Sequence, residues 1–218
     1  MIEIVTTADG SHTIYVPELN EHYHSVNGAV QESTYIFINN GFDFCMANPV
    51  NIFEVGFGTG LNALLTAIKS INTGRQVNYT AIEKSPLSEE ITNSLNYSGF
   101  TDKTGSSILQ AIHASSWNVP QKITGNFVLN KIRGDLTTDI ITGNYDIIYF
   151  DAFGPDKQPE MWTREVFKKI SEITVRKGTL VTYSAKGDVK RSLKQSGFEV
   201  NLLPGPPGKR HIIRAVKI

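Results

Sequence analysis

The sequence predicts an α/β protein built on a mostly parallel, twisted sheet with helices on both faces. Three observations carry this expectation. Short apolar runs alternate with helical stretches from residue 50 onward, a glycine-rich turn joins the first run to the first helix, and PGPPGKR joins the last two runs with no helix between them. Alternating strands and helices imply right-handed crossovers between parallel strands. A short connection implies an antiparallel hairpin.

VNIFEV (50–55) reads as a buried strand, and LNALLTAIKSI (61–71) has apolar residues at helical spacing. VNYTAIE (77–83) is the second strand. A helix is expected to open near Pro86, where a first-turn proline costs no hydrogen bond, and another over 102–115. FVLNKIRGD (127–135) and YDIIYFD (145–151) are the third and fourth strands, and MWTREVFKKISEI (161–173) is an amphipathic helix. GTLVTYS (178–184), a helix over 187–197 ended by Gly197, FEVNLL (198–203) and HIIRAVKI (211–218) complete a seven-stranded sheet with a C-terminal hairpin. Five parallel strands and a closing hairpin are the strand pattern of the Rossmann-like methyltransferase fold. Residues 1–49 break the rhythm: EIVTTADGSHTIYV has DG between alternating runs, a hairpin signal, and YHSVNGAVQESTYIFI reads as a loop entering a short helix. These residues are expected to form a small β/α extension over the mouth of a site in the 50–218 domain.

The 218 residues, 40% hydrophobic and 19% charged, suit one soluble domain. No apolar run approaches the roughly 18 residues of a membrane span, and MIEIVTTADG lacks the basic and apolar regions of a signal peptide, so a cytoplasmic location is expected. The single cysteine, Cys45, excludes an internal disulfide and a cysteine-based zinc site and reads as a core residue; the scattered histidines predict no metal site. Net charge is zero, yet from Ala185 onward eight basic residues face two acids. A cationic end suits a phosphate-bearing partner, although Lys186, Lys190 and Lys194 are equally spaced as a solvated helix face.

The chemistry concentrates at strand ends. FEVGFGTGLN (53–62) places Gly56, Gly58 and Gly60 between a strand and a helix, where backbone can approach a ligand and amide donors are free. The spacing is GxGxG, not the GxGxxG of dinucleotide sites, and Glu54 just before it suits a ligand with a positive centre. Sulfonium-bearing S-adenosylmethionine meets that description better than NAD. Glu83 ends the second strand, where a carboxylate can accept ribose hydroxyls. Asp135 ends the third, where an adenine amino group would lie. Asn62, Lys84 and Leu136 adjoin these groups and are counted with the cofactor contacts. Asp151 ends the fourth strand in the crevice where such folds bind ligands. There it can hold an amine, aim its lone pair and stabilise the positive charge that develops as a methyl group arrives. Phe153, Pro155 and Trp162 follow in a stiffened loop that would supply an apolar wall.

Together NGAVQES, EVGFGTGLNALL, AIEKSPL, DAFGPDKQPEMW, YSAKGDVKRSLKQSGF and GPPGKRHI resemble the methyltransferase domain of the bifunctional tRNA 5-methylaminomethyl-2-thiouridine biosynthesis protein, the MnmC family. The resemblance spans about residues 20 to 215 and implies a class I S-adenosylmethionine-dependent methyltransferase fold. It implies methylation of an aminomethyl group on the wobble uridine of tRNA. It places Gly56, Gly58 and Gly60 at the methionine end of the cofactor, Glu83 at the ribose, Asp135 at the adenine and Asp151 at the substrate amine. Tyr23 and Glu32 fall at the mouth, and Lys209 and Arg210 in a basic turn able to meet tRNA phosphates. Two departures stand out. The chain stops after the methyltransferase part, so it is expected to accept only the aminomethyl form or to rely on a separate oxidase, with that oxidase or upstream wobble-modification enzymes as partners, and the last turn carries two extra prolines and His211 where the family more often has glutamate. A spermidine synthase-like aminopropyltransferase shares the fold, but Ala152 and Phe153 follow Asp151 where that class has a second acid. Another small-amine methyltransferase and a cofactor-binding partner protein without catalysis are the other readings.

Overall fold

The computed structural model describes residues 2–218. Its main sheet has eight strands: β4 (Val50–Val55), β5 (Val77–Glu83), β6 (Gln121–Lys122), β7 (Phe127–Arg133), β8 (Tyr145–Phe150), β9 (Thr174–Thr182), β10 (Phe198–Pro204) and β11 (His211–Lys217). Their order is β10-β11-β9-β8-β4-β5-β7-β6. Strands β9, β8, β4, β5 and β7 are mutually parallel, and β11 and β10 add as the expected antiparallel hairpin. The eighth strand is β6, two residues antiparallel to the edge of β7. It is too short to leave a period in the sequence.

Strands β4 and β5 have the expected bounds because both are buried parallel strands with flanking turn residues. The helices are α2 (Leu61–Thr73), α3 (Glu89–Asn93), α4 (Gly105–Ala114), α5 (Arg164–Ile173) and α6 (Gly187–Gln195). Helix α3 starts at Ser88 as N-cap, not at Pro86. Helix α5 starts at Thr163, whose hydroxyl accepts from the Val166 amide at 3.3 Å, so the preceding Pro159–Trp162 forms a separate 3-10 turn. Strand β9 begins four residues before the expected start and carries a register shift against β8.

Strands β1 (Glu3–Thr6) and β2 (His12–Val16) form the expected N-terminal hairpin, extended by β3 (Glu21–His22) into a small antiparallel sheet. The Thr13 hydroxyl accepts from the His24 amide at 2.9 Å and donates to the His24 carbonyl at 3.1 Å, carrying the pairing one residue past Tyr23. Helix α1 (Ala29–Ser33) then continues into a nine-residue π-helix, Thr34–Phe42, longer than the short helix expected.

Two apolar cores sandwich the sheet. One, built around Ile52, Tyr79, Leu64 and Tyr149, takes in Ile14, Ile36, Phe37 and Phe42 of the N-terminal segment; Cys45 is half-buried against it. The other packs Phe53, Phe150 and Ile148 against α5 and α6. From β4 the chain winds out to β5 and β7, then returns to β8 on the other side of β4. The reversal opens a crevice at the carboxyl ends of β4 and β8, where Gly56 and Asp151 begin the loops.

Candidate active site

The crevice is a cavity of about 820 Å³ lined by the ends of β4, β5, β7 and β8 and by residues of the N-terminal segment. That volume lies within the range of small-molecule sites. After β4 the chain turns at Gly56 (φ +84°), where a side chain would bring its Cβ to 2.8 Å from the Asp151 carbonyl oxygen. Only glycine lets the two strand ends approach this closely. The turn is pinned from the other side as well, since the Gly56 and Phe57 amides donate to the Ile82 carbonyl at 3.0 and 3.3 Å.

Glu83 stands at the end of β5 and accepts from the Gly58 amide at 3.1 Å and the Ser85 amide at 2.9 Å. It thus holds the glycine turn while facing the cavity with acceptor capacity left. Asp135, after β7, also lines the cavity. Its carboxylate pairs with Lys84 at 2.9 Å and accepts from the Thr137 amide and hydroxyl at 2.9 and 2.6 Å. These partners, Lys84 foremost, pull its pKa down to about 2. Leu136 is buried beside it and supplies apolar wall.

Asp151 follows β8 and faces the cavity, its amide donating to the Val55 carbonyl at 3.0 Å. The Asn62 side-chain amide, from the first turn of α2, donates to Asp151 Oδ2 at 2.8 Å and to Glu54 Oε1 at 3.0 Å. Burial pushes the Asp151 carboxyl well above the usual carboxylate range; the Asn62 hydrogen bond and Lys209 oppose the shift, and Glu32 reinforces it.

The mouth comes from three separate stretches. Tyr23 lies against Gly58 and meets Phe153 edge-on with ring centroids 4.9 Å apart. Glu32 pairs with Lys209 at 2.8 Å, and the Lys209 ammonium also stands 5.2 Å from the centroid of Tyr183. Tyr183 in turn donates to the Ala152 carbonyl at 2.8 Å.

Five expected site residues lie elsewhere. Gly60 is buried at the start of α2, where a Cβ would meet Phe57, His113 and Ile112, so it shapes the turn from behind and does not line the cavity. Glu54 is 1% exposed and does not line the cavity: one residue before the strand end, its side chain alternates away from the mouth into the core under α2. Trp162 is 5% exposed, packed on Phe150 at 4.9 Å. Its indole N–H donates to the Phe153 carbonyl at 2.7 Å, so it braces the loop from beneath and makes no wall. Pro155 and the exposed Arg210 fall outside the lining. Conversely, sequence reasoning overlooked His24 and Tyr183. The His24 ring lines the cavity and bonds Thr59 of the glycine turn at 2.8 Å, and burial, with Lys209 adding, pulls its pKa down to about 4. The alternation of His22 and His24 along a strand was the available signal.

Glu83, Asp135 and Asp151 surround the glycine turn, and both lysines of the lining, Lys84 and Lys209, are paired to acids. Such a lining opposes a pyrophosphate and suits a ligand carrying a sulfonium, an ammonium and ribose hydroxyls. A Rossmann-like sheet with that site defines a methyltransferase. The chain belongs to the S-adenosyl-L-methionine-dependent methyltransferase family, whose profile matches residues 107–218, and its cofactor is S-adenosylmethionine. It is 29% identical over 92% of its length to the tRNA 5-methylaminomethyl-2-thiouridine biosynthesis bifunctional protein MnmC of Paraburkholderia phymatum, covering 33% of that protein. It is 31% identical over 95% of its length to that of Cupriavidus metallidurans, again covering 33%. The chain therefore spans about a third of the length of these curated relatives. A crystal structure of MnmC2 from Aquifex aeolicus superposes with a TM-score of 0.81 at 28% identity, over 100% of this chain and 70% of that one. The resemblance read from the motifs is borne out.

Proposed function

We propose that this methyltransferase acts on the aminomethyl nitrogen of 5-aminomethyl-2-thiouridine at the wobble position of tRNA, giving the 5-methylaminomethyl form. The observation that carries the reading is a single acid, Asp151, held by Asn62 at the carboxyl edge of β8 and facing the cavity beside the glycine turn. The relatives, tRNA 5-methylaminomethyl-2-thiouridine biosynthesis proteins, support the substrate. Residues 1–49 act as a cover, through Tyr23, His24 and Glu32 at the mouth. A tRNA substrate also favours the cytoplasm; among the described residues no helix is long and apolar enough to cross a membrane.

S-adenosylmethionine supplies an electrophilic methyl group on its sulfonium. The acceptor nitrogen must be uncharged when it attacks, and a primary amine near pH 7 is mostly protonated. An acid raised by burial is a better proton acceptor for that ammonium than a solvated carboxylate. Asp151 receives the amine as a cation, takes or shares its proton, and faces the positive charge that returns to nitrogen as the new bond forms. The Asn62 hydrogen bond fixes the carboxylate for this task. In this reading Glu83 accepts from the ribose and Asp135 meets the adenine, both lining the cavity, and Tyr23 with Phe153 supplies the apolar wall. The lone acid at this strand end disfavours aminopropyl transfer to a polyamine.

The test is nucleoside mass spectrometry of tRNA bearing the aminomethyl form, incubated with the protein and S-adenosylmethionine. A gain of one methyl group at the wobble uridine is expected, and unmodified tRNA would refute the reading. Asp151→Ala should retain cofactor binding by calorimetry while losing about 10²-fold or more in kcat. Parallel loss of both would mark a structural acid.

A further inference from the structure

Beneath Asp151 lies a buried polar cluster that the proposed chemistry does not use. The two N–H groups of the Asn62 amide are divided between two acids, Glu54 and Asp151. Glu54 Oε2, Asn62 Oδ1 and the hydroxyls of Tyr79 and Tyr149 are buried, and among the described residues the polar neighbours left to them are neutral, with Tyr79 beside Glu54 and Thr66 beside Tyr149. The charged groups bearing on Glu54 are Asp151 and Glu83, both acids, and Tyr79 of β5 stands beside it. Tyr149, its neighbour across the strand pair, faces Thr66, with Arg75 and Asp43 further off.

Two ionised carboxylates on one amide, out of water, repel each other, and a buried charge met only by neutral groups is costly. The two acids are unequal in one respect. Asp151 opens onto the cavity and has Lys209 and Glu32 nearby, whereas Glu54 is enclosed and the charges bearing on it, Asp151 and Glu83, are both acids. A proton retained between them therefore sits on Glu54, where the amide and phenol oxygens offer free acceptor capacity.

Resting on the methyl-transfer reading above, we propose that Glu54 is a positioning residue for that reaction. Held as the neutral acid, it takes one N–H of Asn62 so that the other stays on Asp151, and the acceptor nitrogen meets a single fixed negative charge. Glutamate here then acts through its neutral shape, which glutamine reproduces and leucine does not.

Infrared spectroscopy of the full chain at pH 8 tests the protonation without any substrate. Wild type should show the carbonyl stretch of a buried protonated carboxylic acid, and Glu54→Gln should lose it; identical spectra in that region would overturn the proposal. In methyl transfer to aminomethyl-bearing tRNA, the acid limb of the kcat–pH profile should stay in place in Glu54→Gln. A downward move of about half a unit or more would mean that a charge had been removed, and the proposal fails. Glu54→Leu should lower kcat at least about tenfold relative to Glu54→Gln, with the S-adenosylmethionine dissociation constant unchanged; equal kcat values would overturn the positioning role. If Glu54→Leu does not fold, the two glutamine measurements still decide. Should wild type methylate no tRNA, the substrate reading fails while the infrared band still reports on Glu54.

Discussion

Gly56 is the point where the two strands that carry the site come closest, and replacing it by alanine gives a calculable result. The residue sits at φ +84° with its missing Cβ 2.8 Å from a backbone oxygen, that of Asp151. A left-handed conformation costs a non-glycine residue about 1–2 kcal/mol, offset by about 0.4–1 kcal/mol because alanine narrows the unfolded ensemble. The contact adds an overpacking cost of about 1–3 kcal/mol, since the obstacle is main chain and cannot rotate away. Gly74, the C-cap of α2, is the internal control: it has φ +70° with nothing within 4 Å of its Cβ position. Gly74→Ala should cost about 0.5–1 kcal/mol and Gly56→Ala about 2–4 kcal/mol, or roughly 4–16 °C in Tm for a chain of this size. Relief of the clash moves the Asp151 carbonyl, so Gly56→Ala should also weaken S-adenosylmethionine binding by at least about tenfold, as misplacement of a site backbone does. Urea unfolding and calorimetry read the two effects. Equal losses of stability in the two variants, with cofactor affinity intact, would refute the close-approach argument.

Two further outcomes follow from buried groups. His24 and His113, each pulled to about 4 chiefly by burial, bind fewer protons folded than unfolded between pH 4 and 6.5, so stability is full above 6.5 and falls as pH drops through that window. Each contributes up to about 1.4 kcal/mol per pH unit, and His24→Asn should remove about one proton from the slope of unfolding free energy against pH; an unchanged slope would show that His24 is not the group involved. Trp162→Phe keeps the ring packing but leaves the Phe153 carbonyl without its donor, so a loss of about 1–2 kcal/mol by urea unfolding is expected.

What could be read from the sequence follows from the kind of signal each element leaves. Strands β4 and β5 and the glycine turn were legible because a fully buried apolar run and a GxGxG spacing are local patterns. The strand-end acids were legible through the same logic: once strands are parallel, their last residues share one edge. Glu54 shows the limit of reading a motif without its geometry. The period of two places it on the face opposite Val55, and attention to that alternation would have sent it into the core. Trp162 was misplaced because a loop has no period, so nothing local says which side of it an aromatic ring takes. The π-helix escaped because its turn is longer than the 3.6 residues that define a helical face. The pairing of Glu32 with Lys209 joins opposite ends of the chain and has no local trace.

That pairing separates two adjacent cations that the sequence treats alike. The turn between β10 and β11 folds back over the N-terminal segment, with the Tyr35 hydroxyl donating to the Pro204 carbonyl at 3.0 Å. Three of the eight C-terminal cations are bound to acids, Lys186 to Asp156, Arg191 to Asp188 and Lys209 to Glu32. Lys209 thus faces inward, lines the cavity and favours the ionised form of Asp151, whereas Arg210 is exposed beside it. Removing the inward charge in Lys209→Met raises the pKa of Asp151 further, so the acid limb of the kcat–pH profile should move to higher pH. Removing the outward charge in Arg210→Ala should leave that limb in place, weaken tRNA binding, and lower the slope of log affinity against log salt by about one counterion. If Lys209→Met instead leaves the pH profile unmoved and reduces the salt slope as Arg210→Ala does, Lys209 is a phosphate contact, and its ion pair with Glu32 gives way when RNA arrives.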